Sequence, residues 1–146
     1  MKACFIDTNV IVYANDRDAD DKHERAIEVI EKLMRKGNGV VSLQVIQEYA
    51  NVALGKLGQD ASVVMRQVKL LESIRMGFPA DNSVCRQIEI KEAYGISFWD
   101  AGIIAAAEQS NCDVIMSEDL NSGQFYAGIE VVNPFKQGFD IKLYTD

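Results

Sequence analysis

Short apolar runs alternate with stretches of helical periodicity along this chain. Residues 2–6 form an apolar run that stops at Asp7 and contains no glycine or proline, which predicts a buried first strand. Similar short runs predict further strands at 39–42, 76–78, 113–117 and 129–132. The tail over 139–144 alternates with period two, which predicts an additional edge strand.

Helical spacing of apolar residues fills most of the intervals between these strands. The clearest example lies over 22–36, after capping-box spacing at Asp21 and Glu24 and before a stop at Gly37. Four more helices are predicted at 43–57, 60–75, 81–94 and 98–110. This alternation indicates an α/β fold, a three-layer α/β/α sandwich around a central, mainly parallel sheet of four to five strands.

Length and composition narrow the class of protein. With 146 residues, 48% hydrophobic and 25% charged, the chain is expected to form a single domain over residues 1–146. The three cysteines are an odd number without CxxC spacing, so neither a disulfide framework nor a zinc knuckle is indicated. No apolar stretch is long enough for a membrane helix, and a charge at Asp7 interrupts any signal-peptide core. We therefore expect a reduced, unprocessed cytoplasmic protein without a membrane partner.

The net charge of −7 taken alone argues against nucleic-acid binding, because such binders usually present a basic surface. The positions of the acids change this interpretation. In a parallel α/β sheet, ligands bind beyond the carboxyl ends of the strands. Acids from four separated segments are expected there, in the motifs Asp7-Thr8-Asn9, Ser42-x5-Glu48, Ser97-x-x-Asp100 and Ser117-Glu118-Asp119.

Each acid also has an ordinary structural explanation. Asp7 is a typical cap for a helix beginning near residue 8, and Ser97-x-x-Asp100 resembles a capping box. Glu48 fits a solvated helix face, and Asp119 fits a turn. Four carboxylates brought together would repel one another unless they bound protons or a cation. A divalent cation such as Mg²⁺, which prefers oxygen ligands, removes that conflict.

The ordered set of motifs resembles the PIN-domain ribonucleases, and among them the VapC-type toxins of toxin–antitoxin pairs. The likeness runs through essentially the whole chain in order and spacing. It implies a parallel sheet between helices and Mg²⁺- or Mn²⁺-dependent cleavage of single-stranded or structured RNA. It also implies a homodimer and a small antitoxin whose tail enters the acidic groove.

Under this resemblance, the catalytic and metal-binding acids are Asp7, Glu48, Asp100 and Asp119, and the residues that support them are Asn9 and Ser117. Glu118 is a competing acid beside the last of the four, but the Ser-x-Asp spacing favours Asp119.

Other functions remain open at this point. A haloacid-dehalogenase-type phosphatase needs a second acid two positions after Asp7, where this chain has Asn9. A receiver domain needs paired acids at the end of the first strand, and only one is present. A non-catalytic module whose acidic groove receives a basic peptide is compatible with the same residues. Metal-dependent cleavage of RNA separates these possibilities.

Overall fold

A computed structural model describes residues 1–146 and contains one six-stranded sheet in the order β3-β2-β1-β4-β6-β5. Every neighbouring pair is parallel except β5 with β6. The strands are β1 (Cys4–Ile6), β2 (Gly39–Ser42), β3 (Arg75–Gly77), β4 (Val114–Met116), β5 (Phe125–Tyr126) and β6 (Ile129–Val132). The helices are α1 (Thr8–Ala14), α2 (Asp21–Lys36), α3 (Leu43–Leu54), α4 (Ala61–Leu71), α5 (Ser83–Tyr94), α6 (Phe98–Gln109) and α7 (Lys142–Thr145), with a short 3₁₀ helix at Arg17–Ala19.

The path of the chain reverses direction beside β1. It first moves outward through β2 and β3, and then returns past β1 to place β4 on the other side. Because crossovers between parallel strands are right-handed, α1 to α4 lie on one face of the sheet and α5 and α6 on the other. The sheet is therefore the middle of three layers, as predicted, and the boundary between β1 and β4 is the point where ligands bind in such folds.

The core is a single cluster of 32 buried hydrophobic residues. The strand segments Cys4–Ile6 and Val114–Met116 are buried at every position, as expected for central parallel strands. Helix α6 is apolar around most of its circumference and buries six of its residues. No helix is long and apolar enough to span a membrane.

Several predicted elements are confirmed with small changes at their ends. The strands Gly39–Ser42 and Ile129–Val132 match, and α2 ends where Gly37 takes a left-handed conformation with φ of 72°. The expected capping box is wrong, because Asp20 occupies the cap position of α2 and makes no side-chain capping bond. The third strand is displaced by one residue toward the N-terminus.

The sheet has six strands rather than the predicted four to five. The additional strand is β5, whose sequence signal is too weak to predict it. This strand has two residues and turns into β6 through Ala127 and Gly128, which have φ of 51° and 80°. Two positive φ values are typical of a tight hairpin turn, but the usual Asn-Gly signature is missing.

The predicted edge strand over 139–144 is wrong, since the tail forms the short helix α7. Ile141 and Thr145 are buried while Leu143 is 71% exposed, so the buried positions follow a helical spacing. The Asn38 side chain donates to the carbonyls of Lys2 and Tyr144 and so joins this helix to the start of β1.

Candidate active site

Asp7 lies at the switch point of the sheet, the boundary between β1 and β4 where the chain reverses direction. It follows β1 directly and is the N-cap of α1. Its Oδ1 accepts a hydrogen bond from the Thr8 backbone N–H at 2.7 Å. Its Oδ2 accepts from Ser117 Oγ at 2.7 Å and from Asn9 Nδ2 at 3.3 Å. Only 6% of this residue is exposed, so both oxygens are fixed in a largely buried position. The capping role considered for Asp7 is therefore present, and it leaves the second oxygen facing β4.

Asp119 joins the same network through Ser117 and Asn9. The Asn9 side-chain amide also donates to Asp119 Oδ2 at 3.1 Å, and its carbonyl accepts from the Glu118 backbone N–H. Ser117 is fully buried after β4, and its hydroxyl oxygen accepts from the Asp119 backbone N–H at 3.2 Å. These bonds hold the loops after two neighbouring strands in one arrangement.

Glu48 reaches the site from the second turn of α3. Its Oε2 accepts a hydrogen bond from Thr8 Oγ1 at 2.8 Å, and its Oε1 accepts from Gln44 Nε2 at 2.8 Å. The residue is partly buried, unlike a carboxylate on a solvated helix face. Thr8 therefore connects the two acids, because its backbone N–H donates to Asp7 and its hydroxyl donates to Glu48.

Asp100 is in the first turn of α6, whose N-cap is Ser97. The Ser97 hydroxyl accepts from the Asp100 backbone N–H at 3.0 Å, so the predicted capping motif is present. Gln44 Nε2 donates to the Trp99 carbonyl at 3.1 Å while it also donates to Glu48. The start of α6 is thus attached through Gln44 to the acidic cluster, which consists of Asp7, Glu48 and Asp119. The Asp100 carboxylate itself makes no bond to this cluster.

Glu118 is separated from the cluster by its own partners. It accepts hydrogen bonds from Tyr13 Oη at 2.7 Å and pairs with Lys22 Nζ at 2.6 Å. Although partial burial opposes ionisation, the bonds from Lys22 and Tyr13 hold the pKa of Glu118 below its usual range. The adjacent acids of this loop therefore differ, because Glu118 has a cationic partner while the carboxylate of Asp119 bonds only to Asn9.

The pKa of Asp7 is shifted in the opposite direction from that of Glu118. Burial raises the pKa of Asp7 from 3.8 to about 6, against the hydrogen bonds from Ser117 and Thr8 that favour the charged form. The negative charges of Asp119 and Glu48 raise this pKa further, and no basic side chain lowers it. The cluster consequently carries negative charge without a protein cation to balance it.

The donor set matches a hard divalent cation in its chemistry. All candidate ligands are carboxylate oxygens, and the excess negative charge around Asp7 is what such a cation would balance. No three of the acids are close enough together to enclose an ion in this structure. The residues fit a cation that retains several of its waters and takes only a few protein ligands, as Mg²⁺ commonly does.

Two residues that shape this cluster, Thr8 and Gln44, belong to no motif that singles them out in the sequence. Thr8 and Gln44 hold the two oxygens of Glu48. The only signal for either was its place beside a predicted acid, Thr8 after Asp7 and Gln44 one helical turn before Glu48.

The fold and the cluster define an α/β protein with an oxygen-rich acidic site at the switch point of a parallel sheet. The model of the PIN domain family matches residues 4–126. The chain therefore belongs to the PIN domain family, which confirms the resemblance seen in its motifs.

Solved structures with the same fold include a toxin–antitoxin complex and a toxin. A toxin–antitoxin complex from Klebsiella pneumoniae has a TM-score of 0.66 and 18% identity over 91% of this chain and 98% of that chain. VapC20 of Mycobacterium tuberculosis, described as a sarcin–ricin loop cleaving toxin, has a TM-score of 0.64 and 17% identity over 87% and 98%. FitAB bound to a DNA fragment has a TM-score of 0.67 and 22% identity over 91% and 96%. A search of curated proteins finds no significant match.

Proposed function

We propose that this protein is a metal-dependent endoribonuclease that hydrolyses RNA phosphodiester bonds, with residues 1–146 acting as one nuclease domain. In this proposal the metal-binding and catalytic acids are Asp7, Glu48, Asp100 and Asp119. The observation that carries it is the contrast between Glu118 and the acids near it. Glu118 has a cationic partner in Lys22, whereas Asp7, with Asp119 and Glu48 beside it, has none.

The chain's own residues position these acids. Ser117 and Asn9 orient Asp7 and Asp119, and Thr8 orients Glu48. Hydrogen bonds of this kind around metal ligands commonly fix ligand orientation. A divalent cation bound there, Mg²⁺ or Mn²⁺, supplies the charge that activates water and stabilises the phosphate during hydrolysis. No side-chain nucleophile is required, and His23 lies away from the cluster with its Nδ1 against the Tyr13 carbonyl.

The family and the descriptions of its relatives support the proposed substrate class and partners. A relative described as cleaving the sarcin–ricin loop supports RNA as the substrate, and one solved as a toxin–antitoxin complex supports a small antitoxin partner. We therefore assign the protein as the toxin of such a pair, a cytoplasmic homodimer whose acidic site receives a basic antitoxin segment. Static light scattering, alone and with the product of any short adjacent reading frame, measures both assemblies.

The direct test is cleavage of end-labelled tRNA and rRNA fragments by purified protein. We expect cleavage with Mg²⁺ or Mn²⁺, none with EDTA, and none for Asp7→Asn in either condition. Internal cleavage products separate an endonuclease from an enzyme that trims ends. Melting of each variant, followed by circular dichroism, shows that lost activity is not lost folding.

The other candidate functions give different results in the same experiment. A wild-type protein that binds a basic peptide but leaves RNA intact with every metal would be an acidic-groove binding module. Release of inorganic phosphate from a monoester without RNA cleavage would indicate a carboxylate-based phosphatase. Either result overturns the proposal.

A further inference from the structure

A cavity of about 240 Å³ lies between α3, α5 and α6, and Gln44 separates it from Glu48 of the acidic cluster. No charged side chain lines it, in contrast to the neighbouring site. Four of its lining residues are glutamines, namely Gln44, Gln47, Gln87 and Gln109. A neutral wall of amides does not attract a phosphate or a metal ion, but it offers both donors and acceptors to an uncharged polar ligand.

In three of these glutamines, either the nitrogen or the oxygen of the side-chain amide is hydrogen-bonded to the protein, and the remaining atom has no protein partner. Gln87 Nε2 donates to the Phe98 carbonyl at 2.7 Å. Gln109 Oε1 accepts from the Ala80 backbone N–H at 3.3 Å. Gln44 Nε2 is bound to Glu48 and to the Trp99 carbonyl. The unbonded atoms are two carbonyl oxygens and one amino group, so fixed side chains present both acceptors and a donor.

Gly102 on α6 makes room for two of these amides. A Cβ atom at this position would lie 2.6 Å from Gln44 Oε1 and 2.8 Å from Gln87 Nε2. The atoms that it would meet are the ends of flexible side chains, so the helix itself tolerates alanine. The glycine therefore matters for the position of the amides in the cavity rather than for the backbone.

An aromatic ring lies at the same cavity. Phe78 follows β3, lines the cavity, and is 77% exposed. Exposed aromatic rings beside polar groups are a common means of stacking an unpaired nucleobase.

We propose that this cavity binds one unpaired base of the RNA substrate, next to the phosphate held at the acidic cluster. The inference rests on the proposed function, because it supplies the substrate to which the base belongs. Gln44 connects the two sites, since its Nε2 contacts Glu48 and its Oε1 faces Gly102. The base edge bonds to the free amide atoms while its face packs against Phe78. The cavity thereby contributes base preference, which a purely phosphate-binding acidic site lacks.

The test uses nucleosides rather than RNA, so that it requires neither phosphate nor metal. Adenosine, guanosine, cytidine and uridine are titrated into ¹⁵N-labelled full-length protein in EDTA and followed by NMR. We expect saturable shifts of the Gln87 and Gln109 side-chain amides and of the Gly102 backbone amide, with different affinities among the four bases. Gly102→Ala is expected to weaken binding at least about tenfold, as for loss of one base contact.

Two further variants keep the result interpretable. Gln47→Leu changes an exposed lining residue and is also expected to weaken binding. Gln137→Leu makes the same change at an exposed position outside the cavity and should leave binding unchanged. Because melting reports folding separately, a variant that fails to fold is excluded from the comparison.

The outcomes separate this inference from the proposed function. Nucleoside shifts confined to other surfaces, or Gly102→Ala binding as tightly as the wild type, would overturn the base site even if RNA is cleaved. Conversely, nucleoside binding at the cavity without any RNA cleavage would overturn the proposed function. A third outcome is that Gly102→Ala or Gln47→Leu changes the monomer–dimer equilibrium but not the nucleoside affinity. That result would assign the cavity to an interface between two copies of the chain, and it would also overturn the base site.

Discussion

Asp7 is at once a helix cap and a buried acid with like charges beside it. Capping requires a carboxylate oxygen facing the Thr8 N–H, whereas burial and the charges of Asp119 and Glu48 oppose ionisation. The raised pKa shows that burial and repulsion prevail over the hydrogen bonds. Perturbed carboxylates of this kind are frequent at functional sites, where a cation or substrate later relieves the strain.

This balance predicts a pH dependence of stability in metal-free protein. The folded state binds the Asp7 proton more tightly than the unfolded chain, so the free energy of unfolding falls as pH rises from about 4, through the folded pKa, to about 7. A pKa raised from 3.8 to about 6 corresponds to about 3 kcal/mol. Urea unfolding of wild type and Asp7→Asn across this range measures the effect.

In Asp7→Asn this contribution is absent because the side chain is neutral at every pH. The variant should melt at the same or a higher temperature than the wild type near pH 7, and the two should converge below pH 4. A variant that is less stable by the same margin at all pH values would show that Asp7 serves mainly as a cap.

At the scale of elements, helix ends decide where the strands and the site residues lie. Helix α2 ends at Gly37 with φ of 72°, which allows the chain to turn directly into β2. A side chain in this left-handed region is unfavourable, whereas Gly102 in the middle of α6 has ordinary helical geometry. The same substitution should therefore act oppositely at the two positions.

We predict that Gly37→Ala lowers the free energy of unfolding by about 1 kcal/mol. Gly102→Ala should leave it unchanged or raise it by up to about 1 kcal/mol, because alanine is the better helix former. Urea titrations of both variants against wild type give the two differences. Equal destabilisation at the two sites would contradict the account of Gly102 as a residue that serves the cavity.

The sequence predicts elements well where a strong local signal ends them. Gly37 and Gly95 stop their helices, and β2 and β6 are apolar runs with clear ends. It fails where tertiary contacts decide, as in the tail, which packs as a short helix with the Asn38 side chain bound to the Tyr144 carbonyl.

The same limit applies to the candidate site. The positions of the acids at strand ends and helix starts could be predicted, because topology brings those ends to one edge. Side-chain partners could not, since Lys22 reaches Glu118 across 96 positions of sequence without a local motif. The Ser-x-Asp spacing favours Asp119 over Glu118 as the site acid. The ion pair between Lys22 and Glu118 is consistent with that choice.

At the scale of the whole molecule, the charge of −7 gives little information about the local field at the site. What matters is which acids have cationic partners. A cation bound at the cluster would stabilise the folded state by mass action, because the unfolded chain does not assemble the site.

We therefore expect Mg²⁺ or Mn²⁺ to raise the melting temperature at pH 7. At a metal concentration near 100 times Kd, the rise should be about 5–10 °C. Asp7→Asn should lose most of this rise, and Glu118→Gln should keep it. A rise of equal size in all three proteins would indicate binding elsewhere on the acidic surface.

The central claim is that the acids of the cluster, which have no cationic partner, carry RNA hydrolysis, and that acidity in general does not. Asp119→Asn and Glu118→Gln test it most directly, because they remove one negative charge each from adjacent residues of the same loop. Rates of cleavage of one labelled RNA in Mg²⁺ should be abolished by Asp119→Asn and remain near the wild-type value in Glu118→Gln. Equal loss in both variants, or retained activity in Asp119→Asn, would contradict the assignment.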